Sequence, residues 1–207
     1  MRITQEAKAA TAERILDSAA RLFQASGWEA TTTREIAAAA GIAAGTLFNY
    51  FPSKEAIAAR LISVALEEAE QEFESRPAGD ASPEEDLFRF IWTGFKHLRR
   101  YRNFLAPAAE IVFSPLARSS PDRSGDAIRV RHLEMVGRVL AAHGGTGALR
   151  AVAMQLYWTL YLGVLAYWAA DASPWQEDTL ALLDHSLKLF LASLDRKEEN
   201  HDQRKSE

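Results

Sequence analysis

Almost every stretch of this 207-residue chain repeats an apolar residue at three- or four-residue spacing, and alternating β-branched runs bounded by turn residues are missing. That periodicity restricts the chain to an all-α fold. Ile15, Leu16, Ala19, Leu22 and Phe23 form one stripe, ended by Gly27. Thr32-Thr33-Arg34-Glu35 is a capping box, in which a hydroxyl and a carboxylate satisfy backbone N–H groups that a helix start leaves open. It opens a second, very short helix stopped by Gly41. A third helix is predicted over about 44–51, and Ser53 before Lys54-Glu55 starts a fourth that carries Ile57, Leu61 and Val64 inward.

The segment "ESRPAGDASPEED" changes composition and ends in Ser82-Pro83-Glu84-Glu85, an N-cap followed by proline at the first helical position and glutamate at the third. A domain boundary is expected between a first domain, 1–62, whose fourth helix continues to about 74 as a connector, and a second, 63–207. The second domain holds predicted helices near 83–100, 101–114, 126–143, 147–170 and 174–195, and the charged tail "DRKEENHDQRKSE" is expected to fray. Pro107 interrupts one of these helices and is expected to kink it into a mobile element.

Composition narrows the function classes. With no cysteine, disulfide scaffolds and thiolate metal sites are excluded, and a cytoplasmic location is the default expectation. The first residues carry charges throughout and lack the apolar core of a secretory signal. The net charge of −4 argues against a bulk electrostatic pull on nucleic acid, yet residues 1–60 hold seven Lys/Arg against six Asp/Glu. A DNA-binding face there must come from placement.

Two short helices joined by a tight turn containing Gly41 read as a helix-turn-helix, whose second member lies in the DNA major groove. At 100° per residue, Leu47 and Phe51 point into the domain while Gly45, Thr46 and Asn49 face away, flanked by Phe48 and Tyr50. Ile42 and Leu47 occupy hydrophobic-staple positions around Ala43. From Thr11 to about Ile62, "RILDSAARLFQASGWEATTTREIAAAAGIAAGTLFNYFPSKEAI" resembles the N-terminal domain of the tetracycline-repressor (TetR) family of transcriptional regulators. The resemblance rests on Gly27-Trp28, Thr-Thr-Arg-Glu-Ile-Ala, Ala-Gly-Ile, Gly-Thr-Leu, Tyr-Phe and Ser-Lys-Glu in order without gaps.

The resemblance implies that Thr33 and Lys54 meet phosphates at helix N-termini, where N–H groups and the helix dipole favour an anion. Tyr50 is likewise implied to touch backbone phosphate. Arg34, Ala44, Thr46, Phe48 and Asn49 match positions that approach base edges, and Gly45 allows a close approach. Two departures stand out. Ala43 replaces a Ser or Thr cap common in the family, and Phe48 replaces a frequent tyrosine, removing a hydroxyl while leaving a ring able to meet thymine methyls.

For the second domain only architecture transfers: a ligand-binding, dimerising helical domain. Residues 151–170 hold no charge, long enough to span a membrane. Gln155, Thr159 and Gly163 interrupt them, however, and no polybasic flank or pair of aromatic belts accompanies them. The favoured expectation is a helix buried by its own domain and a partner chain, with no membrane involved. Leu180, Leu183, Leu187, Phe190 and Leu194 on the last helix repeat at 3-4-3-4 spacing and are the expected homodimer seam. Trp92, Phe95, Phe104, Phe113, Leu133, Val136, Tyr157 and Tyr161 are candidates to line an apolar effector site, with His97, Glu110, Gln155 and Thr159 as candidate polar contacts. No G-x-S-x-G, G-x-x-x-x-G-K or H-E-x-x-H occurs, and no catalytic residue, cofactor or metal ligand is assigned. The sequence therefore reads as a DNA-binding regulator, a repressor by resemblance, released from double-stranded operator DNA by a small hydrophobic effector. A ligand-independent architectural DNA binder and an all-helical enzyme stay open as alternatives.

Overall fold

The computed structural model describes residues 4–76, 80–113, 124–144 and 151–205, and the regular structure among them is entirely helical. The helices are α1 (Gln5–Ser26), α2 (Thr33–Ala39), α3 (Ala44–Leu47), α4 (Lys54–Glu74), α5 (Pro83–Leu98), α6 (Arg102–Val112), α7 (Ser124–Ala142), α8 (Ala151–Ala170) and α9 (Glu177–Lys205). They form two compact units, one of Met1–Glu68 with His97–Arg129 and one of Ala69–Lys96 with Val130–Glu207.

In the first unit, α1 packs against α2 and α6, and its stripe buries Ile15, Ala19 and Phe23. The Phe23 ring lies 5.0 Å from Trp28 and 4.9 Å from Phe104, centre to centre. Ile36, Leu47 and Ile57 bring α2, α3 and α4 to the core of the same unit. Ser53 caps α4 through its hydroxyl, which accepts from the Ala56 N–H at 3.1 Å. α6 runs on through Pro107 as one helix, although the proline has no N–H to give to Asn103.

The third predicted helix is shorter than its expected span of 44–51. The regular helix closes at Leu47, where Asn49 and Tyr50 donate to the carbonyls three residues back, at 3.1 and 2.9 Å, before the Phe51 N–H returns to the Leu47 carbonyl at 3.0 Å. Ala43 has cap geometry but no side chain able to accept, so the first N–H groups of α3 lose the usual cap.

In the second unit, Ser82 and Glu85 form the expected reciprocal cap of α5. Glu70, near the end of α4, accepts from Arg131 and Arg138 of α7. α8 and α9 pack on each other, and Phe95 of α5 stacks on Trp168 at 5.0 Å. The start predicted for α8 at 147 falls on residues outside those described. A 3-10 turn over Pro174–Gln176 precedes α9, which then continues to Lys205 where fraying was expected. Glu, Lys, Gln and Arg there are strong helix formers that extend a helix already nucleated by packing. Among the described residues no helix is long and apolar enough to cross a membrane.

Candidate nucleic-acid interface

The turn between α2 and α3 is built from backbone geometry. Gly41 takes φ +69°, its N–H donates to Ala38 at 3.1 Å, and the Ile42 N–H donates to Ala37 at 3.0 Å. These two bonds are the Schellman ending of α2, which requires a residue free to adopt positive φ. At the other end of α2, the Glu35 carboxylate accepts from the Thr32 N–H and hydroxyl, both at 2.8 Å, while the Thr32 hydroxyl accepts from the Glu35 N–H at 3.3 Å. The backbone bond from Thr32 and then its hydroxyl lower the Glu35 pKa, so the box holds with the carboxylate charged.

With both flanks fixed, α3 turns Leu47 fully inward and leaves Phe48 52% exposed. Gly45, Asn49 and Arg34 are exposed, while Thr33, Ala44, Thr46 and Tyr50 are half-buried. The outward side is therefore small, neutral and close to the backbone, with one aromatic ring and one amide as its largest groups.

Lys54 is placed differently from the sequence expectation of a phosphate ligand. Its ammonium donates to the carbonyls of Trp28 at 2.8 Å and Thr31 at 3.2 Å, and it sits 4.4 Å from the centre of the Trp28 ring. The Thr31 hydroxyl in turn donates to the Gly27 carbonyl at 2.8 Å. Together they tie the first turn of α4 to the loop that presents Thr32 and Thr33. A cation that already satisfies two carbonyls over an indole fixes that loop before it meets any phosphate.

The effector-site candidates are distributed over both units. In the first unit, Phe104 and Phe113 are buried and Glu110 is exposed. His97 faces Glu68 at 3.4 Å. In the second unit, Phe95, Val136, Tyr157 and Tyr161 are buried, and Trp92 and Leu133 are half-buried. Gln155 and Thr159 are corrected: both lie exposed on the side of α8 away from Tyr157 and Tyr161, and Thr159 donates to the Gln155 carbonyl at 2.9 Å. A two-residue offset on a helix is a turn of about 200°, which carries them off the inward face.

His132 was not among the candidates and occupies the middle of the inward face. Its Nε2 shares a 2.9 Å hydrogen bond with the Tyr157 hydroxyl, and its ring packs 4.2 Å from Tyr161 and 5.0 Å from Phe90. Burial pushes its pKa down to about 3 and raises those of Tyr157 and Tyr161, so all three are neutral near pH 7. The signal was present in the sequence, because His132 continues the stripe of Ile128, Met135, Val136 and Val139. Its charged neighbours Arg131 and Glu134 masked it. Among the described residues no group of His, Asp or Glu is placed to hold a metal ion.

Three residues of the expected dimer seam lie in the core of the subunit. Leu183, Leu187 and Phe190 are buried within the chain itself, Phe190 against Tyr157 at 5.1 Å, and a side chain buried in its own subunit has no surface left for a partner. Leu180 and Leu194 are half-buried. Among the described residues of α8 and α9, the large apolar side chains left exposed are Val152, Leu156 and Tyr167 on α8 and Leu189 on α9.

Residues 15–61 match the family model for bacterial regulatory proteins of the tetR family. The HTH-type transcriptional repressor KstR2 of Rhodococcus jostii (strain RHA1) is 44% identical over 54 residues, 26% of this chain and 26% of that protein. The chain thus spans 26% and 33% of the curated relatives it matches. Among solved structures, the Thermus thermophilus FadR, a TetR-family transcriptional repressor in complex with lauroyl-CoA, superposes with a TM-score of 0.68 at 28% identity, covering 87% of this chain and 93% of that one. The fatty acid degradation regulator FadR of Bacillus halodurans shares the fold, with a TM-score of 0.60 at 20% identity over 87% and 94% of the two chains.

Proposed function

We propose, from the premise that the chain belongs to the tetR family of bacterial regulatory proteins, that it is a homodimeric transcriptional repressor released from its operator by a largely apolar small molecule. The observation that carries the proposal is the α2–α3 pair: Leu47 anchors a short helix from within, and Thr46, Phe48 and Asn49 stand on its outer side. Small residues at Ala44 and Gly45 let the backbone come close to base edges. Thr33 and Tyr50 then position the phosphate backbone, with Arg34 assisting at the groove.

The effector class follows from two supports. One is the lauroyl-CoA held by the Thermus thermophilus repressor, which makes a fatty acyl thioester the first class to test. The other is the buried aromatic cluster of the second unit, where Phe90, Trp158 and Tyr161 pack around the hydrogen-bonded pair of His132 with Tyr157. An apolar wall with one oriented polar group suits an acyl chain ending in a carbonyl.

Selection of bound sequences from random duplexes tests the DNA part. It should return an inverted repeat with half-sites about 34–36 Å apart or a multiple of that, the spacing two symmetric readers impose. Recovery without any repeat overturns the reader assignment. Titrating acyl thioesters of several chain lengths into the complex tests release, with an expected 5- to 150-fold loss of operator affinity and the same factor returned on the ligand. Acyl thioesters that leave operator affinity unchanged overturn that effector class.

A further inference from the structure

The turn between α8 and α9 carries two adjacent non-glycine residues with positive φ, Trp175 at 55° and Gln176 at 60°. Such backbone is strained for L residues and persists only where its surroundings hold it. Here the Asp171 carboxylate accepts from the Ser173 N–H at 2.7 Å, the Thr179 N–H at 3.1 Å and the Thr179 hydroxyl. The Ser173 hydroxyl accepts from the Asp178 N–H at 3.2 Å, and the Gln176 N–H donates to the Ser173 carbonyl at 3.1 Å. Gln176 is buried by this arrangement, while the neighbouring indole is 92% exposed. The polar side chain goes in and the largest apolar one goes out.

An uncharged surface runs the length of α8 toward this turn. α8 has no ionisable Asp, Glu, Lys or Arg along its length, and its outer side shows Val152 at 69%, Leu156 at 40% and Tyr167 at 44% exposure. Leu189 of α9 adds a further exposed apolar group. The Tyr167 hydroxyl meets Asp178, three residues past Trp175, so the stripe runs into the turn. Two packed helices of about 30 Å length and about 20 Å combined width offer roughly 600 Å². A stable dimer buries about 800 Å² per partner, and one aromatic side chain adds on the order of 200 Å². The helical face alone falls short, and the indole makes up the difference.

We propose that Trp175 is an anchor of the homodimer, presented by the strained turn and seated against the uncharged face of a second copy of this chain; the inference rests on the homodimer reading above. A symmetric interface uses the patch twice, so each dimer gains two such anchors. Buried indoles of this kind dominate the energetics of interfaces.

Sedimentation of Trp175→Gly against the unchanged chain over a dilution series tests it. Glycine adopts the turn's backbone without steric strain, at a small entropic cost, and removes the side chain, so the folded subunit is kept. Trp175→Asn, which also tolerates positive φ, is the second variant should the first fail to fold. The expected result is a dimer whose dissociation constant rises at least about 30-fold in the variants, with unchanged helical circular dichroism. A dimeric wild type with equally tight variants overturns the proposal alone. A wild type that is monomeric at every concentration overturns the homodimer reading, and the proposal with it.

Discussion

The Lys54 ammonium closes the carbonyls of Trp28 and Thr31 from the first turn of α4, and its removal leaves both part-buried oxygens open. Lys54→Met keeps the apolar stem, and urea unfolding should register a loss of about 1–3 kcal/mol. Operator affinity should fall with an unchanged salt slope; a slope reduced in magnitude by about 1 would restore Lys54 as a direct phosphate ligand. Thr46→Ala and Asn49→Ala should leave stability alone and relax preference at particular base pairs by roughly 1–3 kcal/mol, read from binding to single-base operator variants. His132 makes a pH prediction. Its pKa of about 3 in the folded chain lies below the ordinary value of 6.5, so the unfolded chain binds the extra proton between those two pH values. The stabilisation from keeping it neutral is full above pH 6.5 and is lost as pH falls toward 3. Between pH 7 and 5 this term should cost about 2 kcal/mol, and His132→Gln should remove that part of the pH dependence in paired urea titrations.

At the scale of elements, α3 is a four-residue helix without a side-chain cap. Ala43 has the extended backbone of an N-cap, φ −67° and ψ 144°, and lacks only the oxygen. Ala43→Ser should add about 0.5–2 kcal/mol of stability and slow hydrogen exchange at the amides of Gly45 and Thr46. Whether it also tightens operator binding tells how much of the binding free energy is used to order α3. By contrast α2 is held at both ends, by the Thr32–Glu35 box and by the Gly41 turn. The first short helix is thus a rigid support for the second.

At the scale of the molecule, burial separates the residues that hold a subunit together from those free to join two. Leu187→Asp with Phe190→Asp places charges where exposure is 2% and 1%. An unpaired buried carboxylate costs several kcal/mol, a large part of a domain's typical ~5–15 kcal/mol, so this pair should lose helical circular dichroism instead of giving folded monomers. Leu156→Asp with Leu189→Asp acts on side chains 40% and 53% exposed and should give folded, monomeric protein in sedimentation with weakened operator binding. Retained dimer in that second pair would move the interface off the α8–α9 face.

By itself the sequence determined what depends on neighbours along the chain. The three- and four-residue apolar spacing, the caps at Thr32, Ser53 and Ser82, the stop at Gly41 and the inward turn of Leu47 are local patterns, and each follows from hydrogen bonding and helix geometry within a few residues. The order of motifs from Thr11 to Ile62 was legible for the same reason. Only tertiary structure decided which face of a uniformly apolar helix is spent inside its own subunit, because α8 and the leucine-rich part of α9 carry apolar groups on more than one side and periodicity cannot rank them. That is why Leu187 and Phe190 proved to be core, why Gln155 and Thr159 turned outward, and why Trp175 stands in solvent. Lys54 and His132 were decided there too: their carbonyl, hydroxyl and ring partners lie 23 or more residues away along the chain, and only packing brings them within reach.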